Sequence, residues 1–125
     1  MGSARLAAVL TAAVWGTAAQ AEEAAAAAEC AALYHAHHLY EVASFDPADV
    51  SDGWQAMARG FEAAANRLGA SPGQMKAAHG RVPGWQVAIT AHVLGRDAQA
   101  ARQYGAQQAA CDGLIVRLPD LAAYR

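Results

Sequence analysis

Apolar and small residues along the chain recur with the helical period of about 3.6 residues, in steps of four and three. Three segments show this pattern most clearly. The first contains Val50, Trp54, Met57, Phe61, Ala64 and Leu68; the second Met75, Ala78, Val82, Trp85, Ile89 and His92; the third Ala101, Tyr104, Gln108, Cys111, Ile115 and Leu118. Because another helical segment precedes them and strand-like alternation is missing from the sequence, the pattern predicts an all-α protein.

Turn-forming residues predict where these helices begin and end. The punctuating residues are Asp46-Pro47, Gly69, Ser71-Pro72, Gly95 and Pro119. The predicted helices span residues 23–44, 48–68, 72–94 and 97–117, and the third has a kink near residue 83, where Gly80, Pro83 and Gly84 occur together. Four amphipathic helices joined by short loops favour an up-down-up-down four-helix bundle.

The first 21 residues follow the order of a secretory signal peptide. Arg5 supplies a positive charge, an apolar run extends from Leu6 to about Thr17, and small residues precede a predicted cleavage after Ala21. The apolar run is shorter than the roughly 20 residues that a membrane span needs. We therefore expect residues 22–125 to form one helical domain in the periplasm or outside the cell. The alternative is that residues 1–21 form a buried helix of the mature fold.

Composition limits both the core and the function. The 125 residues include 36 alanines and carry a formal net charge of −2, so the chain forms one small domain with a thin apolar core. This charge gives no reason to expect a nucleic acid as partner. Three glycines inside predicted helices, Gly60, Gly105 and Gly113, are expected to allow neighbouring helices to approach closely.

The two cysteines are predicted to form a disulfide. Their spacing fits no CxxC motif, and in an oxidising compartment a cysteine pair usually forms a disulfide. Cys30 lies 14 residues before the predicted end of the first helix, and Cys111 lies 14 residues after the predicted start of the fourth. In an up-down bundle both are therefore about 21 Å from the same end. The alternative is two buried free thiols.

Three of the five histidines lie in the stretch YHAHHLY, from Tyr34 to Tyr40. At about 100° per residue, the inner face of the first helix contains Cys30, Leu33, Tyr34, His37, Tyr40 and Glu41. His38 falls on the flank of that face, and His35 points away from it, together with Leu39 and Val42. The three histidines therefore cannot bind one ion together. His79, beside Gly80, is expected to be an exposed loop or helix-end residue.

A metal site would need a ligand from a second helix. His37 and Glu41 are four residues apart, and His38 lies three residues before Glu41, so these side chains can meet. His92 is expected at the same end of the bundle. Two imidazoles and a carboxylate suit zinc or another divalent transition metal, which makes His37, Glu41, His92 and the neighbouring His38 a candidate metal site. The alternative is that the histidines are structural and hydrogen-bond backbone carbonyls or carboxylates.

Catalytic signatures are missing from the sequence, which has no HExxH, GxSxG, GxGxxG, GxxxxGK[ST] or CxxCH motif. We therefore expect neither catalytic activity nor a resident cofactor. The first functional hypothesis is a periplasmic protein that acts by binding or structural association, with another periplasmic protein or a small ligand as its partner. The second is a bundle that binds a transition metal, or haem through His37, His92, Met57 or Met75.

Overall fold

The computed structural model describes the backbone of residues 7–125 and the side chains of residues 18–125, and this part of the chain is helical without a strand. Its five α-helices are α1 (Ala7–Ser44), α2 (Gly53–Arg67), α3 (Pro72–His79), α4 (Val82–Leu94) and α5 (Ala98–Arg117). Two 3-10 turns cover Pro47–Asp49 and Pro119–Tyr124. The predicted all-α class is therefore confirmed. The predicted signal peptide, residues 1–21, lies largely outside the residues whose side chains are described.

The start of the second helix differs from the prediction. Pro47 opens a short 3-10 turn instead of an α-helix, and Val50 then adopts an extended backbone with φ −80° and ψ 121°. Helix α2 begins only at Gly53, so the inclusion of Val50 in the buried helical face was wrong. On the rest of that face Phe61 and Ala64 are fully buried, and Trp54, Met57 and Leu68 are partly buried and pack against the core.

The predicted third helix is two helices. The α-helical hydrogen bonding is interrupted at Gly80 and Arg81, where the Arg81 N–H donates to the Ala78 carbonyl three residues back. Pro83 is accommodated in the first turn of α4. A proline there costs little, because the first N–H groups of a helix have no partner within it. Ser71 caps α3 by accepting a hydrogen bond from the Gln74 backbone at 3.1 Å. The predicted kink near residue 83 is therefore a break three residues earlier.

Helix α1 is the central element, and it packs against α2, α3, α4 and α5. The largest fully buried side chains are Tyr34, Phe61, Leu33 and Leu121, together with the two cysteines. Much of the remaining core is alanine, from Ala24, Ala27 and Ala28 on α1 to Ala64 and Ala65 on α2. Since alanine buries little area, the core gains its stability from close contact between helix backbones more than from large side chains.

The C-terminal 3-10 turn packs against α2 at Gly60. A Cβ atom added at Gly60 would lie 2.8 Å from Cδ2 of the fully buried Leu121. Gly60 therefore permits the close approach that the sequence predicted. Added Cβ atoms at Gly105 and Gly113 would meet no described atom within 4 Å, so the same prediction was wrong for those two positions.

The cysteine pair is at disulfide distance, as predicted. Cys30 of α1 and Cys111 of α5 have Cα atoms 5.6 Å apart, and both side chains are buried in the core. Among the helices that the structure describes, none is both long and apolar enough to cross a membrane.

Candidate functional site

His37 lies in the interior, on the face of α1 that the helical period assigned to it. Its side chain is only 8% exposed, and its Nε2 atom lies 2.9 Å from the hydroxyl of Tyr104 on α5. Its ring stacks on the indole of Trp54 with ring centroids 4.4 Å apart. Burial lowers the pKa of His37, and the carboxylate of Glu41 partly opposes this effect. His37 is therefore a buried histidine that favours its neutral form.

A stack of aromatic rings extends from His37 into the core. Tyr34 stacks on Trp54 at 5.6 Å and on Phe61 at 5.4 Å. The amide of Gln108 donates a hydrogen bond to the Tyr34 hydroxyl at 3.3 Å. Burial, with a smaller contribution from Asp112, raises the pKa of Tyr34 to about 12. These contacts fix the His37 ring by packing as well as by hydrogen bonding.

Glu41 and His38 each bear one buried polar atom that has no hydrogen-bond partner among the described residues. The Trp54 indole N–H donates to Oε1 of Glu41 at 2.6 Å, whereas Oε2 of the same carboxylate is unpaired within the described residues. Nδ1 of His38 is likewise buried and unpaired among the residues whose side chains are described. Such atoms are uncommon in folded proteins, because each costs free energy to desolvate.

His92 is not buried as the predicted third-helix face required. It lies in the last turn of α4, where Val93 and Leu94 are also exposed. The His92 ring still contacts the ring of Tyr104, at a centroid distance of 4.9 Å. Across residues 18–125, no three histidine, cysteine, aspartate or glutamate side chains come together in a group that could hold a metal ion.

A cleft between α1, α2 and α3 forms a second candidate site, with a volume of about 320 Å³. Its floor is made of small apolar residues, Ala28, Ala31, Ala32, Ala58 and Ala78, together with Met75. Its polar lining consists of His35, Gln55, Arg59, Glu62 and His79. Pockets of about 300 Å³ or more, mostly apolar and with a few polar groups, are the usual sites for small ligands.

His35 lines this cleft, so the prediction that it points away from the fold was wrong. Its ring stacks on that of His79, the last residue of α3, with centroids 5.7 Å apart. The prediction assumes one continuous third helix over residues 72–94. The break at Gly80 leaves α3 as a separate helix that packs on the His35 side of α1. His79 itself is an exposed helix-end residue, as predicted.

Charges of both signs line the cleft. Arg59 and Glu62 are exposed and lie three residues apart on α2. Burial lowers the pKa of His35, and the neighbouring His79 adds to this effect, whereas Glu62 opposes it. The imidazole of His35 therefore favours the neutral form, in which one ring nitrogen can accept a hydrogen bond.

A second cavity, of about 410 Å³, lies between α4 and α5. It is lined by Gly80, Arg81, Gly84, Trp85, Ala88 and Gln103. The indole N–H of Trp85 is buried and has no hydrogen-bond partner among the described residues. This cavity lacks the pair of imidazoles that distinguishes the α1–α2–α3 cleft.

The chain was compared with protein-family models, with curated proteins and with solved structures, and none of these comparisons gave a match.

Proposed function

We propose that this chain is an exported, non-enzymatic binding protein, and that the cleft between α1, α2 and α3 is its binding site. The observation that carries the proposal is the combination of an alanine floor with five polar side chains in a cavity of about 320 Å³. An apolar floor favours desolvation of a ligand, and the polar lining selects its orientation. The expected occupant is a small ligand or a side chain of another periplasmic protein. We expect no nucleic acid as partner.

Export and topology belong to the same proposal. The N-terminal signal pattern and the cysteine pair at disulfide distance support secretion into an oxidising compartment after cleavage near Ala21. We further propose that the helices form an up-down-up-down bundle in which α3 and α4 together take the third position. The disulfide would then link the first and last helices of a mature chain that has no membrane span.

An NMR screen with a library of small polar and aromatic fragments tests the cleft directly. We expect hits to shift the resonances of cleft residues such as Gln55 and Glu62. Filling the cleft by Ala31→Phe should abolish these shifts, whereas Ala109→Phe, on the exposed face of α5, should leave them unchanged. Hits that map to the cavity beside Trp85 and survive Ala31→Phe would contradict the proposal.

A metal- or haem-binding bundle that uses His37, Glu41 and His92 is the second candidate function. The buried Oε2 of Glu41 and Nδ1 of His38 favour it, because each lacks a hydrogen-bond partner among the described residues and a ligand could supply one. Against it, His37 and the other Glu41 oxygen already contact Tyr104 and Trp54. A bound ion in the purified protein that is lost in both His37→Ala and His92→Ala would establish this alternative.

A further inference from the structure

We infer that the cleft between α1, α2 and α3 holds a free α-amino acid with an apolar side chain, whose carboxylate meets Arg59 and whose ammonium group meets Glu62. This inference rests on the proposed binding function and names the class of small ligand for the same cleft. It is supported by two opposite charges without partners, by their spacing on α2, and by the apolar floor of the cleft.

Arg59 and Glu62 form a charged wall on the α2 side of the cleft. With Gln55 they recur in steps of four and three residues, so all three lie on one face of α2, and all three line the cleft. Three arginines elsewhere on the surface each pair with a carboxylate. Within residues 18–125, neither Arg59 nor Glu62 takes part in such an ion pair. The two charges are therefore available to a ligand that carries both signs.

The spacing of the two charges suits an α-amino acid. Side chains three residues apart on a helix have Cβ atoms about 5–6 Å apart. The ammonium and carboxylate groups of an α-amino acid are bonded to one carbon atom, so a single ligand can contact Arg59 and Glu62 together. The planar guanidinium of Arg59 can bind a carboxylate through two parallel hydrogen bonds, and Gln55, one turn earlier, offers a further amide donor. A dipeptide places its two charges farther apart than this pair.

The rest of the cleft suits an apolar side chain of modest size. Alanines of α1 form its floor, and Met75 of α3 supplies a flexible thioether that adapts to the shape of an apolar group. The volume of about 320 Å³ is near the lower limit of pockets for small ligands. Burial lowers the pKa of His35, and Glu62 is near enough to oppose this effect. Since the His35 imidazole favours its neutral form, it does not repel the ammonium group of the ligand.

NMR titration of the disulfide-bonded protein with L-leucine tests the inference, alongside three matched analogues. Isocaproate lacks the ammonium group, isopentylamine lacks the carboxylate, and N-acetyl-L-leucinamide lacks both charges. We expect one L-leucine per chain, shifts of the Gln55 and Met75 resonances, and binding at least about fivefold weaker for each analogue.

Substitutions on α2 assign each charge of the ligand to its partner. Arg59→Gln and Glu62→Gln should each weaken the binding of L-leucine at least about fivefold. Arg59→Gln should not weaken the binding of isopentylamine, which has no carboxylate, and Glu62→Gln should not weaken the binding of isocaproate. Arg102→Gln, which removes an exposed arginine of α5 outside the cleft, should bind L-leucine as the parent protein does. All three positions are exposed, so circular dichroism should show the helix content of the parent in each variant.

Equal affinity for L-leucine and its analogues, or undiminished binding in both Arg59→Gln and Glu62→Gln, would overturn the inference. Tighter binding of the dipeptide leucyl-leucine than of L-leucine would overturn the assignment to a free amino acid. The fragment screen keeps this inference distinct from the proposed function. Fragments that bind the cleft of a protein that does not bind L-leucine at millimolar concentration would refute only the ligand class, whereas failure of the fragments as well would refute the cleft as a binding site.

Discussion

Replacing both cysteines by Cys30→Ala and Cys111→Ala should remove much of the stability of this protein. The bond closes a loop with a sequence separation of 81 residues. In the chain-entropy model, cross-linking a loop of this length lowers the conformational entropy of the unfolded chain and so stabilises the folded state by about 4.5 kcal/mol at 25 °C. Small domains are typically stable by about 5–15 kcal/mol. Since the core is rich in alanine, we expect the double variant to lie near the low end of that range or to be partly unfolded.

Urea denaturation followed by circular dichroism measures this effect. The free energy of unfolding of the double variant should be about 4–5 kcal/mol below that of the parent protein. Reductant should lower the free energy of unfolding of the parent by a comparable amount. Reductant should leave the double variant unchanged, which controls for effects other than cleavage of the bond. A loss below about 1 kcal/mol would refute the view that the disulfide is a major source of stability in this thin core.

Two further changes test the packing and the electrostatics. Gly60→Ala should destabilise the fold, because the new Cβ would lie 2.8 Å from a side-chain carbon of Leu121. Overpacking costs about 1–3 kcal/mol, which outweighs the gain in helix propensity of about 1 kcal/mol. In the matched Gly113→Ala, the new Cβ would meet no described atom within 4 Å, so this variant should be more stable than the parent by up to about 1 kcal/mol in thermal or urea unfolding. Equal effects at both positions would contradict the packing described. Burial holds the pKa of His37 below 6.5 in the folded protein, so the unfolded chain takes up a proton at this histidine more readily. The stability that the neutral His37 contributes is therefore present above about pH 6.5 and should be lost as the pH falls toward the folded-state pKa. His37→Gln should reduce that dependence between pH 7 and pH 5, and an unchanged slope would count against a buried neutral imidazole.

The sequence predicted the interior of the helices better than their junctions. Leu33, Tyr34 and His37 fall on the buried face that a period of about 3.6 residues assigns them. Val50 fits the same spacing but lies outside a helix, because Pro47 starts a 3-10 turn and the chain then extends. Periodicity alone cannot distinguish these cases, since it describes the spacing of residues and not the backbone between them.

The cleft could not be predicted because it depends on where the third helical segment breaks. Gly80, Pro83 and Gly84 together predict a kink near residue 83, yet a proline in the first turn of a helix is well tolerated, and the break falls at Gly80 and Arg81. That shift gives α3 its own packing surface and brings His79 onto His35. One signal in the sequence could have indicated the contact, namely the small residues Ala28 and Ala32, which continue in helical spacing to His35.

Intact-mass measurement of the protein recovered from its own cell envelope or medium tests most directly the claim that it is an exported, disulfide-linked protein. We expect a mass equal to that of residues 22–125 less two hydrogens, and a gain of two hydrogens after reduction. A mass equal to that of all 125 residues with two free thiols would contradict export, cleavage near Ala21 and the disulfide together.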